Sequence, residues 1–278
     1  MTISVGNNTY QYYYPDDYSL KNNKPQNNNP KPKVKAQDTS GSGGESSALG
    51  LLLASEAIRL GSEKASKMLM RGKEYTTSEN VLKVVENMLN RGKLNDVSIY
   101  FVNPSNINEI SSKTGFSVAD LREVAEGKNA FFSDSFKKVA VAPSSKPSLI
   151  QHELGHAINA RNPFLKVLQT SRRVAPYIPT ALILANSLSK RLKKDNEETF
   201  IEKHAGKIGF AAYLPTIIEE GLASMRGILA AKKTLGGQNI KLGALKRNYF
   251  FAWMTYLLAG LGLGVASKLS VKTGIPMQ

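Results

Sequence analysis

Two histidines and a glutamate fall within five consecutive residues, His152-Glu153-Leu154-Gly155-His156. On a helix, positions four apart lie on one face, so His152 and His156 can direct two imidazole nitrogens at one point. Two such nitrogens suit Zn²⁺, and Glu153, one position round the helix, can accept a proton from a water on that ion. The alternative is a helix that carries two unrelated histidines, although the whole chain has only three.

A hydrolytic zinc site needs a third protein ligand, and the chain has no cysteine to supply it. The extension of the motif to a third histidine fails, because positions 159 and 162 are both asparagine. The candidates are His204 and two later carboxylates, Glu219 and Glu220, which lie in an apolar run. An unpaired carboxylate in such a run is costly, so a metal partner would explain one of them.

The residues before the histidines predict a small sheet that leads into their helix. Residues 97–102 are β-branched and aromatic, and two more candidate strands at 129–132 and 137–142 flank a short polar turn. A helix over 145–161 follows directly. We therefore expect an α+β domain that is mostly helical, in which an edge strand beside the metal could hold an extended peptide.

The N-terminal part of the chain differs in composition from the rest. Residues 1–47 are rich in asparagine, proline and glycine without any apolar period, which predicts a disordered tail. No charged segment followed by an apolar run is visible there, so we expect no cleavable signal peptide. Helices over 48–70 and 76–92 then open a single domain, 48–278, the second with a capping box at Thr76.

A pair of short predicted helices, 106–113 and 117–126, meets at Gly115 and resembles the helix-turn-helix of DNA-binding proteins. The formal net charge of +15 makes nucleic-acid binding a function worth testing. The second helix, however, would expose three acids against one base: Asp120, Glu123, Glu126 and Arg122. Because such a face repels phosphates, we interpret the pair as a connection between strands.

The C-terminal part is basic and apolar, which favours an anionic membrane surface as a partner. No acidic residue follows Glu220, whereas eight basic residues do. Residues 248–267 are uncharged, and about 20 such residues suffice to cross a bilayer core. Aromatic residues gather at one end of this candidate span, and Gly260 and Gly264 would permit close helix packing. The alternative is a buried helix of a soluble core.

The two motifs together resemble those of the gluzincin metallopeptidases, most closely the bacterial membrane-associated neutral zinc metallopeptidases (YugP-like). That family pairs His-Glu-x-Gly-His-Ala, here 152–157, with a later Pro-x-x-Glu-Phe-x-Ala-Ser-type motif, here 215–224. The chain departs from it with Gly221 and Leu222 after the glutamate. The resemblance implies a zincin-like fold at the bacterial cytoplasmic membrane, with His152, His156 and Glu220, rather than Glu219, as the metal ligands.

The predicted function is zinc-dependent hydrolysis of a peptide or protein substrate, with Glu153 as the general base. Ser224, one turn after Glu220, is a candidate hydrogen-bond partner of a ligand. The group that stabilises the oxyanion stays open among Tyr213, His204 and Arg226. Two other functions remain: a membrane scaffold that binds zinc without turnover, and a nucleic-acid-binding protein that uses residues 106–126.

Overall fold

The computed structural model describes residues 2–5, 8–11, 45–70, 72–134, 138–192 and 197–273. The predicted disordered tail lies mainly outside these ranges. Its described parts are an antiparallel strand pair, β1 (Thr2–Val5) with β2 (Asn8–Gln11), and the start of the first helix. The boundary between a tail and a domain at residues 47 and 48 stays a prediction.

The described chain is mostly helical, as the sequence predicts, with one small mixed sheet. Within the described ranges, nine α-helices follow the strand pair: α1 (Glu45–Met70), α2 (Ser78–Gly92), α3 (Ile107–Thr114), α4 (Val118–Ala125), α5 (Leu149–Ala160), α6 (Pro163–Ser171), α7 (Ile178–Leu192), α8 (Phe200–Leu235) and α9 (Gly243–Thr273). A single 3₁₀ turn, Ala175–Tyr177, joins α6 to α7.

The mixed sheet consists of β3 (Ser98–Val102), β4 (Phe131–Ser133) and β5 (Val139–Pro143), in the order β3-β5-β4. The central strand β5 runs parallel to β3 and antiparallel to β4, and all its residues are buried. Its β-branched and small apolar side chains suit a strand that is covered on both faces. Strand β5 leads into α5, and β4 is the edge strand on the side that contacts α5.

Two predicted helix boundaries are wrong by a few residues, for local reasons. The metal-site helix begins at Leu149 rather than at 145, after a turn through Lys146 and Pro147. Proline disfavours a helical conformation in the residue before it, which delays the start. In α2 the cap is Thr77 rather than Thr76, because the Thr77 side chain accepts the hydrogen bond from the Asn80 backbone N–H.

The main hydrophobic core joins the sheet, α2 and α5 to one end of α8 and α9. Val81, Val85, Ile99 and Leu154 are all buried in it, together with Tyr249 of α9. Helices α3 and α4 pack through a second cluster on the other side of β3 and β5. They connect β3 to β4, as predicted, and Gly115 between them adopts the left-handed conformation (φ 78°) that favours glycine.

Helices α8 and α9 pack side by side along most of their length, because glycines let their backbones approach. A Cβ at Gly264 would lie 2.8 Å from the carbonyl oxygen of Gly206, and one at Gly260 would lie 3.0 Å from Tyr213. The predicted role of Gly260 and Gly264 in close packing is therefore confirmed. Within the described residues α9 is the one helix long and apolar enough to cross a membrane, which is weak evidence for membrane anchoring.

Candidate metal centre

The candidate centre forms where α5 crosses α8. At Gly155 there is no room for a side chain: a Cβ would overlap the carbonyl oxygen of Ala223 and lie 2.8 Å from its Cα. This contact places the α5 face that carries His152 and His156 against the α8 face that carries Glu220. All three side chains are buried, so the site is formed between helices rather than in a loop.

Three donor atoms converge at this crossing. His152 Nε2 lies 3.0 Å from His156 Nε2 and 3.1 Å from Glu220 Oε2, and His156 Nε2 lies 3.4 Å from the same oxygen. Ligands at about 2.0–2.1 Å from a tetrahedral zinc ion stand a little over 3 Å apart, so the spacing fits such an ion. This group of two nitrogens and one carboxylate oxygen could hold a metal ion.

The outer nitrogens of both histidines have hydrogen-bond partners, which fixes the rings. His156 Nδ1 donates to Glu219 Oε1 at 2.8 Å, so Nε2 is the nitrogen that faces the cluster. His152 Nδ1 lies 3.1 Å from Ser224 Oγ, which confirms the predicted contact of Ser224. Carboxylate and hydroxyl partners of this kind orient the histidine ligands of metal sites.

Glu219 and Glu220 are neighbours in sequence but occupy different positions in the site. Glu219 accepts hydrogen bonds from Asn159 Nδ2 and Gln169 Nε2 as well as from His156, and does not belong to the donor cluster. The Arg172 guanidinium donates to both carboxylates, at 3.0 Å to Glu219 Oε2 and at 2.8 Å to Glu220 Oε1. One arginine, which belongs to neither sequence motif, therefore forms ion pairs with both buried carboxylates.

The protonation of the cluster follows from its partners. Burial alone would lower the pKa of His156, but hydrogen bonds to Glu219 and Glu220 outweigh burial and raise that pKa to about 10. Burial would raise the pKa of Glu220, yet hydrogen bonds from His152 and His156 hold it well below its usual range. Without an ion, His156 therefore holds a second proton at neutral pH, and a metal would bind there by displacing the proton from Nε2.

Glu153 lies beside the donor cluster without belonging to it. Its side chain is 5% exposed, and burial raises its pKa above the usual value, while the neighbouring His152 and His156 oppose the rise. A carboxyl group whose pKa is raised by burial is suited to exchanging protons near neutral pH. The charges of His152, His156 and Glu220 all act on Glu153, so its carboxyl group lies near the donor cluster.

Comparison with known proteins adds no relative. No protein-family model, curated protein or solved structure matches the chain. What the centre can do follows from its geometry: a buried group of His152, His156 and Glu220 on two helices, consistent with a zincin motif completed by glutamate.

The three candidates for an oxyanion-stabilising group have different surroundings. Tyr213 lies on α8 close enough to Glu220 and Arg172 for their charges to affect its pKa, which burial raises. Arg226 Nε donates a hydrogen bond to Asn159 Oδ1. His204 is outside the centre: its ring packs against Phe200 at a centroid distance of 4.5 Å, and it precedes Glu220 by four and a half helical turns, about 24 Å. The open alternative of His204 as a ligand is therefore wrong.

Sequence reasoning missed four polar residues around the centre. Arg172 and Gln169 come from α6 and its C-terminal end, Asn159 from α5, and Tyr256 from α9, where it lies near Glu220. A possible signal was Asn159 one turn after His156, on the same side of α5. The other three gave none, since only tertiary packing brings α6 and α9 to the centre.

Proposed function

We propose that the protein is a zinc-dependent metallopeptidase of the gluzincin type, similar to the membrane-associated neutral zinc metallopeptidases. The observation that carries this proposal is the convergence of His152 Nε2, His156 Nε2 and Glu220 Oε2 within 3.0–3.4 Å, with Glu153 buried beside them. Two histidines and a glutamate leave a fourth tetrahedral position for a water or a substrate carbonyl, as hydrolytic zinc sites require.

The reaction divides between the metal and the protein. Zn²⁺, when bound, would polarise the scissile carbonyl and acidify a water molecule. Glu153 takes the proton from that water and later gives it to the leaving amine, for which its raised pKa is suited. Glu219 holds His156 in the tautomer that leaves Nε2 free, and Arg172 keeps the Glu220 carboxylate in place.

The peptide would approach along the edge of the sheet. Strand β4 is an edge strand of the described sheet and contacts α5, which carries the histidines. An extended substrate could add to this edge through backbone hydrogen bonds. The proposed location is the bacterial cytoplasmic membrane, which the apolar helix α9 supports.

The decisive test is a Glu153→Gln variant of the full chain. The amide cannot accept the proton, so we expect peptide hydrolysis to fall by about 10²–10⁴-fold while zinc content, measured by atomic emission, stays stoichiometric. Glu86→Gln, an exposed change on α2, is the matched control and should leave both unchanged. Zinc-loaded wild type that cleaves no peptide would support the zinc-binding scaffold instead.

A further inference from the structure

A large cavity lies next to the candidate centre, with Arg172 in its lining. Its volume is about 930 Å³, at the upper end of the range for ligand-binding pockets. Helix α1, the 3₁₀ turn, the start of α7 and the second half of α9 form its walls. The lining includes Ile58, Tyr177, Leu258 and Leu269.

The cavity reaches the metal centre through two residues. Arg172 and Tyr213 both belong to its lining, and Arg172 also donates to Glu220 Oε1 at 2.8 Å. Arg172 therefore borders both the cavity and the carboxylate of a proposed metal ligand. This adjacency links the cavity to the candidate centre.

Both arginines of the cavity lining are already paired with carboxylates. Arg172 is paired with Glu219 and Glu220, and the other lining arginine, Arg59, is paired with Glu56 and Glu63. An anionic ligand would therefore have to compete with these carboxylates. An apolar group could contact the apolar residues of the lining without displacing any ion pair.

Small residues on α9 leave the space that forms this part of the cavity. Ala259, Gly262 and Ala266 line the cavity from positions that recur about once per helical turn. At Gly262 an added Cβ would meet only Ile58, at 3.6 Å, so this position is small without a backbone contact that requires it. The open volume is a property of these side chains and can be reduced by substitution.

We propose that this cavity binds apolar side chains of the peptide substrate on one side of the scissile bond, so that the enzyme cleaves beside apolar segments. This inference rests on the proposed peptidase function. The proposed occupant is a polypeptide rather than a lipid chain, because the cavity adjoins the centre that would hydrolyse an amide. Its volume accommodates more than one large side chain.

The test uses the full chain with Glu153→Gln, so that bound peptide is not cleaved. Two fluorescent peptides of equal length, one with a Leu-Leu-Phe block and one with Ser-Ser-Thr in its place, are titrated and followed by anisotropy. Ala259→Leu and, separately, Ala266→Leu reduce the cavity. Ala211→Leu, the same change at an exposed position of α8 outside the cavity lining, is the control, and zinc content and circular dichroism check folding.

We expect the apolar peptide to bind more tightly than the polar one, and each cavity variant to weaken it about tenfold while Ala211→Leu does not. If the apolar peptide binds with equal affinity to the protein with the unaltered cavity and to both cavity variants, the proposal is wrong. It is also wrong if a fatty acid binds with the same sensitivity to Ala259→Leu while neither peptide binds. If the variants weaken binding but zinc-loaded protein with Glu153 intact cleaves neither peptide, the cavity is supported and the peptidase function fails.

Discussion

At the scale of single residues, the centre depends on two adjacent glutamates with separate tasks. The Glu220 carboxylate contributes one of three converging donors, whereas Glu219 receives hydrogen bonds from His156, Asn159 and Gln169. Consecutive helical residues point about 100° apart, so Glu220 lies among the donor atoms, whereas Glu219 lies between His156 and Asn159 of α5 and Gln169 of α6. The Arg172 guanidinium donates to both carboxylates and so links them.

This division predicts different metal losses for two alanine variants. Glu220→Ala should abolish stoichiometric zinc binding, because only two nitrogens remain. Glu219→Ala should retain the site and weaken zinc by about 10–100-fold, since it removes an outer partner of His156. Competition with a chelator of known affinity measures both. Zinc lost only in Glu219→Ala would contradict the assignment of Glu220 as the ligand.

At the scale of elements, the crossing of α5 and α8 decides the site. Gly155→Ala should push α5 away from Ala223 and separate the histidines from Glu220. We expect a loss of about 1–3 kcal/mol in the free energy of unfolding, together with weaker zinc binding. Thermal unfolding and chelator competition test this. Gly237→Ala, where an added Cβ meets no atom within 4 Å, is the control that should leave zinc binding unchanged.

The start of α8 makes a pH-dependent contribution. A capping box joins Thr199 to Glu202, and the hydrogen bond from Lys190, followed by that from the Thr199 N–H, lowers the pKa of Glu202 to about 2 from 4.5. The folded state thus favours the carboxylate, and this stability is present above pH 4.5 and lost as pH falls toward 2. Glu202→Gln should cost about 1 kcal/mol at neutral pH.

Thermal unfolding of wild type and Glu202→Gln across this pH range provides the measurement. The difference between their melting temperatures should narrow as pH falls from about 5 to about 3. Glu86→Gln on α2 controls for general charge effects and should show no such narrowing. A constant difference for Glu202→Gln would mean that the carboxylate charge does not stabilise the cap.

The elements also show what sequence can and cannot predict here. The pairing of His152 and His156 can be predicted from the sequence because both lie on one helix, where spacing alone decides which residues share a face. Glu220 needed a second motif, and Arg172 and Tyr256 gave no signal, because their positions depend on how α6 and α9 pack against α8. The start of α5 was misplaced because Pro147 delays the helix, although the strand before it was predicted well.

At the scale of the whole molecule, α9 both packs against the folded domain and exposes apolar side chains. Tyr249 donates to the Ser148 carbonyl and Trp253 to the Ile217 carbonyl, so one side of α9 belongs to the folded domain. Phe250 and Leu261 are exposed on it at 53% and 41%. On α8, Leu214, Ile218, Met225 and Leu229 add an exposed apolar row on one helical face.

These exposed residues predict stable attachment to a membrane. Wild-type protein should remain in the membrane fraction through high-salt and carbonate washes, and Leu261→Glu should shift it toward the soluble fraction, because a carboxylate in the apolar layer costs about 2.5–3.5 kcal/mol. Lys246→Glu, at the exposed start of α9, is the control and should stay attached. Full release of wild type by carbonate would contradict a spanning helix.

The helix crossing at Gly155 has a consequence for how the candidate centre would take up a metal ion. Backbone packing and the contacts of Ser224, Glu219 and Arg172 set the positions of the donors, so the chain can fold before it is loaded. Chelation should then strip the ion reversibly, without loss of helical signal. Copper and nickel compete well for nitrogen and oxygen donors, so the ion that the candidate centre would hold depends on which metals are available during loading.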